Sequence, residues 1–178
     1  MTDRISAGSP MGSLLTSLYA TPMGPLAIAA RGDVLVTIYL EGNVDRLTAA
    51  MRRLAPADPG ALAPSIRAAF DAYFAADLGA LDALEVDPTG TPFQLDVWRA
   101  LRAVRPGTTI SYKELARRIG RPDSVRAVGA ANGANPVPIV VPCHRVIGAD
   151  GSLVGYGGGL DRKRWLLAHE GVVPGRLW

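Results

Sequence analysis

Cysteine occurs once in this chain, in the run Ile139-Val140-Val141-Pro142-Cys143-His144-Arg145-Val146-Ile147. A thiol attacks carbon only as thiolate, and a neighbouring imidazole or guanidinium favours that form. A free cysteine can also be nothing more than a small buried hydrophobe. A base and a cation directly after it, with no second cysteine to pair with, favour the reactive reading. The apolar, β-branched approach places Cys143 at the mouth of a buried strand. A third group sits at Glu170, just past a helix predicted over Asp161–His169 with Trp165, Leu166 and His169 in its buried stripe. A carboxylate there faces the negative end of the helix dipole, at a cost on the order of a few tenths of a kcal/mol. It is tolerated when a cation faces it, and His144 and Arg145 are the candidates. Cys143, His144 and Glu170 would then form a nucleophile–base–orienter relay. Neighbours on an extended chain point to opposite sides, so either the chain bends after Pro142 or a water bridges thiol and ring.

Composition limits what else the chain can do. Of 178 residues, 48% are hydrophobic and 20% charged, which fits a globular protein of one domain or two small ones. One cysteine excludes an internal disulfide, and with only His144 and His169 beside it a Cys/His metal site is not expected. No apolar stretch approaches the length of a membrane span and the first residues lack a signal-peptide pattern, so a cytoplasmic protein without membrane contact is expected. The charge is unevenly placed. Residues 1–90 carry 6 Lys+Arg and 10 Asp+Glu, a balance of −4, whereas residues 91–178 carry 13 and 6, a balance of +7. A basic half points to a polyanion such as nucleic acid, or to a solvated basic face with no partner.

Several elements must hold these residues. Residues 1–12 are small and polar and read as disordered. Leu14–Ala20, Leu26–Ala30 and Val34–Leu40 read as an antiparallel meander, followed by helices over Val44–Leu54 and 62–77, the latter with Ile66, Phe70, Tyr73 and Phe74 at helical spacing. Asp87-Pro88-Thr89-Gly90 is the linker, dividing an α/β domain over 13–88 from a mainly helical domain over 89–178. Thr91-Pro92-Phe93-Gln94 then reads as a capping box with proline at the first helical position. Its helix carries Phe93, Val97, Trp98, Leu101 and Val104 as the buried stripe and stops at Pro106-Gly107. A second box at Ser111-Tyr112-Lys113-Glu114 opens a helix burying Leu115, Ala116 and Ile119 and ending at Gly120. Arg121-Pro122-Asp123-Ser124 leads into a third, through Val125, Val128 and Ala131 to Gly133.

Two short helices joined by a glycine-containing turn match a helix-turn-helix, although many such hairpins bind nothing. The second helix, Arg126-Ala127-Val128-Gly129-Ala130-Ala131-Asn132-Gly133, carries one long cation on a surface of small residues. Glycine inside a helix costs about 1 kcal/mol relative to alanine, so stability is given up for a close backbone approach, which suits a narrow groove more than base reading in a wide one. Gly155-Tyr156-Gly157-Gly158-Gly159-Leu160 fails the dinucleotide spacing. It reads as a tightly turned backbone offering N–H groups, or as an ordinary loop.

Asn135-Pro136-Val137-Pro138, Pro142-Cys143-His144-Arg145-Val146, the glycine-rich run and Trp165-Leu166-Leu167-Ala168-His169-Glu170-Gly171 together resemble the O6-alkylguanine-DNA alkyltransferases. The resemblance is nearly continuous over 91–178 and weaker over 14–88. It implies an N-terminal α/β ribonuclease-H-like domain and a C-terminal helix-turn-helix, winged-helix-like domain carrying the cysteine. It also implies a monomer that repairs duplex DNA without a cofactor, moving the alkyl group of O6-alkylguanine, and as a further candidate O4-alkylthymine, onto Cys143 once and irreversibly. In that picture His144 is the base acting through water, Glu170 orients it, Tyr112 donates a proton to guanine N3, and Asn135 pins the turn before the active-site segment. Arg126 replaces the flipped base, with Ser124, Ala127, Gly129, Ala130 and Gly133 along the minor groove. Val146, Tyr156, Gly157 and Lys163 line the pocket, Gly157 standing where some members have serine. Two other readings compete: a lesion-binding protein without chemistry, whose relatives in the family lack the cysteine, and a Cys-His-Glu thiol hydrolase or redox protein, against which the small-residue helix argues.

Overall fold

The computed structural model describes residues 13–40, 58–59 and 61–172. The expected disorder over 1–12 and the helix expected over Val44–Leu54 lie outside the described residues. The chain divides into two compact units between Thr89 and Gly90. Among the described residues no helix is long and apolar enough to cross a membrane.

The first unit is built on a sheet of five strands in the order β4-β1-β2-β3-β5. Strands β1 (Leu15–Tyr19), β2 (Leu26–Arg31) and β3 (Val34–Leu40) form the antiparallel meander expected from their apolar runs and turn residues. The edges are two-residue strands, β4 (Asp58–Pro59) and β5 (Glu85–Val86), each parallel to its neighbour and too short to leave a sequence signal. Helix α1 (Pro64–Phe74) starts with proline in its first turn and buries Ile66, Phe70 and Tyr73. Phe70 meets Tyr19 of β1 with ring centroids 5.4 Å apart, joining helix to sheet through aromatic packing.

The second unit is helical. Helix α2 (Pro92–Arg102) opens with a complete capping box between Thr91 and Gln94. It buries Val97, Trp98 and Leu101 but ends four residues before Pro106, so Val104 is buried in the following turn and not on the helix, and Phe93 is only half-buried. The turn is forced at Gly107, whose φ of +74° is a conformation that side chains disfavour. Strand β6 (Ile110–Ser111) leads into α3 (Tyr112–Arg118). Ser111 Oγ accepts from the Glu114 N–H at 3.1 Å, but the reciprocal half of this box is missing. The Glu114 carboxylate turns instead to Arg117 at 2.5 Å and Arg118 at 3.1 Å, cations one turn further on. Ile119 caps α3 and is half-buried. Helix α4 (Val125–Gly133) buries Val128, Ala131 and Asn132, and Trp98 Nε1 donates to the Ala131 carbonyl at 2.9 Å, tying α2 to α4.

The segment before the cysteine is not a strand. Ile139 has φ +76°, the Val141 N–H closes back on the Val137 carbonyl at 2.9 Å, and Cys143–Arg145 form one turn of 3₁₀ helix. Prolines at 136, 138 and 142 remove the donors a ladder needs, which overrides the β-branched composition. The strand comes afterwards: β7 (Val146–Ile147) pairs in parallel with β6. Helix α5 (Leu160–His169) starts from Gly159 at φ +88°. Its buried residues are Lys163, Leu166 and Leu167. Trp165 and His169, expected in that stripe, are half-buried and stack on each other at 4.9 Å.

Candidate active site

The chain bends at Pro142 into the 3₁₀ turn, so Cys143 and His144 are not neighbours on an extended strand. Cys143 is 5% exposed and His144 fully buried. Burial raises the Cys143 thiol above its ordinary pKa, against the opposing pull of Asn135 and the Lys163 cation. A thiol so held rests protonated and needs a base at the moment of reaction. Arg145 does not serve the thiol. Its Nε and Nη2 bind the two oxygens of Glu170 at 2.9 and 2.8 Å, and its Nη1 donates to the Val104 carbonyl at 2.5 Å. The cation bearing on Cys143 is Lys163, which the sequence pointed to only through the family resemblance.

His144 Nε2 lies 3.0 Å from Glu170 Oε1. A carboxylate can only accept, so the ring presents Nε2–H to it and keeps its lone pair on Nδ1. Nδ1 is buried without a hydrogen-bond partner. Burial lowers the His144 pKa, opposed by Glu170 and reinforced by Arg145 and Lys163, so the ring is held neutral. Burial works to raise the Glu170 carboxyl, but hydrogen bonds from His144 and Arg145 and the charge of Arg145 prevail and hold it well below the usual carboxylate range. The ring and the carboxyl act on stability in the same direction. Each has a folded pKa below its unfolded one, so each contributes stability above the unfolded pKa and loses it as pH falls. Thermal melts are expected to drop first as pH falls below about 6.5 through His144, then again below about 4.5 through Glu170. A melting temperature flat from neutral to mildly acid pH would contradict this.

Lys163, fully buried on α5, donates to the Val146 carbonyl at 2.7 Å and the Val154 carbonyl at 2.8 Å. Burial pushes its pKa down to about 8, with Cys143 opposing. It fastens β7, just after the cysteine, to the start of the glycine-rich segment. Tyr112 reaches the same Val154 carbonyl at 3.5 Å, and burial together with Cys143 raises its hydroxyl above its ordinary pKa, keeping a proton there to give. Asn135 accepts from the Val137 N–H at 3.0 Å and donates to the Val141 carbonyl at 2.7 Å, bracing the loop that precedes the cysteine. Cys143, His144, Glu170, Lys163, Tyr112, Asn135 and Val146 thus share one linked set of contacts.

The other expected residues sit on or beside α4 and in the glycine-rich segment. Arg126, Ala127, Ala130 and Gly133 are exposed on α4, Ser124 precedes the helix without a side-chain cap, Tyr156 is half-buried and Gly157 exposed. A Cβ placed on Gly129 would stand 3.8 Å from the Tyr112 ring, an ordinary contact, and one on Gly157 would meet nothing within 4 Å. Neither glycine is required by packing inside the protein. Two backbone groups escaped sequence reasoning, the Val104 carbonyl and Gly107. The only signal there was Pro106-Gly107, which marks a stop and says nothing of what the turn supports.

Fold and site define a two-unit protein, a sheet unit followed by a helical unit that carries a buried Cys-His-Glu group. The model described as 6-O-methylguanine DNA methyltransferase, ribonuclease-like domain, matches residues 14–88, and the one described as 6-O-methylguanine DNA methyltransferase, DNA binding domain, matches residues 92–172. The methylated-DNA–protein-cysteine methyltransferase of Salmonella typhimurium is 46% identical over 170 residues, covering 90% of this chain and 97% of the relative. The crystal structure of Mycobacterium tuberculosis O6-methylguanine methyltransferase aligns with TM-score 0.75 and 44% identity over 91% of this chain and 96% of that one. The structure of the M. tuberculosis protein in complex with DNA gives 0.74 and 41% over 89% and 94%. The chain belongs to the 6-O-methylguanine DNA methyltransferase family.

Proposed function

We propose that this protein repairs duplex DNA by moving the alkyl group of O6-alkylguanine to Cys143, once per chain. The observation that carries this is the buried thiol followed directly by a ring whose Nε2 is anchored on Glu170 while Nδ1 stays unpartnered. The thiol proton leaves through a water to His144 Nδ1, Sγ attacks the alkyl carbon, and the carbon–O6 bond breaks with its electron pair going to the base. Tyr112 gives its proton to guanine N3, so neutral guanine departs, and the imidazolium proton restores the tyrosine. The net change is thiol plus alkylguanine to thioether plus guanine. A thioether has no good leaving group, which ends the cycle.

Helices α3 and α4 act as a helix-turn-helix with α4 in the minor groove, Arg126 filling the stack in place of the extruded base, and Ser124, Ala127, Gly129, Ala130 and Gly133 letting the backbone come close. Val146, Tyr156, Gly157 and Lys163 bound the pocket. Residues 13–88 form the ribonuclease-H-like domain and 89–178 the domain that binds DNA and accepts the alkyl group, in a monomer working in the cytoplasm. Gly129→Ala separates stability from binding. The variant is expected to melt higher, by about 1 kcal/mol of helix stability, and to bind duplex more weakly because the added methyl crowds the groove. Equal or tighter DNA binding would remove α4 from the interface.

Titration of purified protein against a duplex holding one O6-methylguanine tests the whole reading. Restored guanine is expected to level off at one per chain. Restoration continuing past one equivalent would favour a thiol hydrolase, and tight binding without restoration a lesion-binding protein.

A further inference from the structure

The Glu170 carboxylate does not serve His144 alone. Oε1 takes both His144 Nε2 at 3.0 Å and Arg145 Nη2 at 2.8 Å, and Oε2 takes Arg145 Nε at 2.9 Å. Arg145 is anchored in turn by its third nitrogen on the Val104 carbonyl. The same turn carries Gly107, whose missing side chain lets the backbone lie against the Glu170 carbonyl; a Cβ there would stand 3.0 Å from that oxygen. One turn of backbone therefore backs both members of the ion pair. A carboxylate held only by an imidazole is free to rotate about its last torsion, whereas a guanidinium fork fixes both oxygens.

Building on the functional reading above, we propose that Arg145 is a positioning residue for alkyl transfer: it pins both oxygens of Glu170 so that Oε1 always receives His144 Nε2–H and the lone pair stays on Nδ1. The same cation shares the negative charge that Glu170 would otherwise spend wholly on the ring, and so keeps the base neutral and ready. The charged and titratable groups bearing on His144 are Lys163 on α5, Glu170 at the C-cap of that helix, and Arg145 on its own turn. An ion pair that served only stability would leave the ring's tautomer and titration unchanged when altered.

The test is ¹⁵N NMR of the histidine rings of the full chain across neutral pH, paired with the pH dependence of single-turnover transfer. Wild-type His144 is expected as the neutral Nε2–H tautomer. Arg145→Lys keeps the charge but cannot bind both oxygens, so it is expected to mix tautomers and slow transfer roughly tenfold with the acid limb of the profile little moved. Arg145→Met removes the opposing cation, and its acid limb is expected to move to higher pH as Glu170 makes the ring more basic. An Nδ1–H tautomer in the wild type, or an Arg145→Lys protein with unaltered tautomer and rate, overturns the proposal. Should Arg145→Met not fold, the lysine variant and the wild-type ring decide it alone. A wild type with the expected tautomer but no transfer would instead remove the functional reading beneath it.

Discussion

Cys143→Ala is expected to abolish alkyl transfer completely while the protein still folds and still binds duplex DNA. The side chain is small and 5% exposed, so removing sulfur leaves a minor void and costs about 1 kcal/mol. No second cysteine exists to take over. The expected signature is a split. Fluorescence anisotropy should find DNA affinity largely retained and calorimetry a modest drop in melting temperature, while guanine restoration is undetectable. Residual transfer in the alanine variant would place the acceptor elsewhere. Loss of DNA binding along with transfer would mean that the thiol also holds the shape of the interface.

Glu170→Gln has the second largest expected effect, and it falls on stability and rate together. The substitution keeps the side chain's shape but removes the charge that three donors share. Arg145 is left buried with no counter-charge, and breaking such a pair from one side costs about 3–5 kcal/mol. A fall in melting temperature of roughly 10 °C follows. Below that temperature the folded fraction should still transfer slowly, since His144 then has a neutral amide in place of an anion to orient it and stabilise its protonated form. Comparing the transfer rate of folded protein with the melt separates the two losses. A folded Glu170→Gln protein with an unaltered rate would show that the carboxylate is structural only.

Local signals were legible in the sequence and tertiary ones were not. The Thr91–Gln94 capping box forms in full because both partners lie within four residues. The second box fails halfway because Arg117 and Arg118 compete for Glu114, a contest visible in the sequence once helical spacing is applied. Cys143, His144 and Glu170 were singled out by residue type and helix position, and the latter two meet at 3.0 Å. Composition misled just before the cysteine, where β-branched residues suggested a strand while three prolines argued otherwise and prevailed. The buried Lys163 could not be read as a clamp because its acceptors are carbonyls, which every residue carries, and only the fold selects Val146 and Val154. The same holds for Val104, whose carbonyl meets Arg145 from 41 positions away.

The central claim is that one particular sulfur takes the alkyl group and keeps it. Mass spectrometry of the peptide containing Cys143, after incubation with a duplex bearing a single O6-methylguanine, addresses that claim most directly. The expected result is one methyl increment on Cys143, persisting after the DNA is removed. An unmodified Cys143 in a reaction that has restored guanine, or an increment on any other residue, would contradict it.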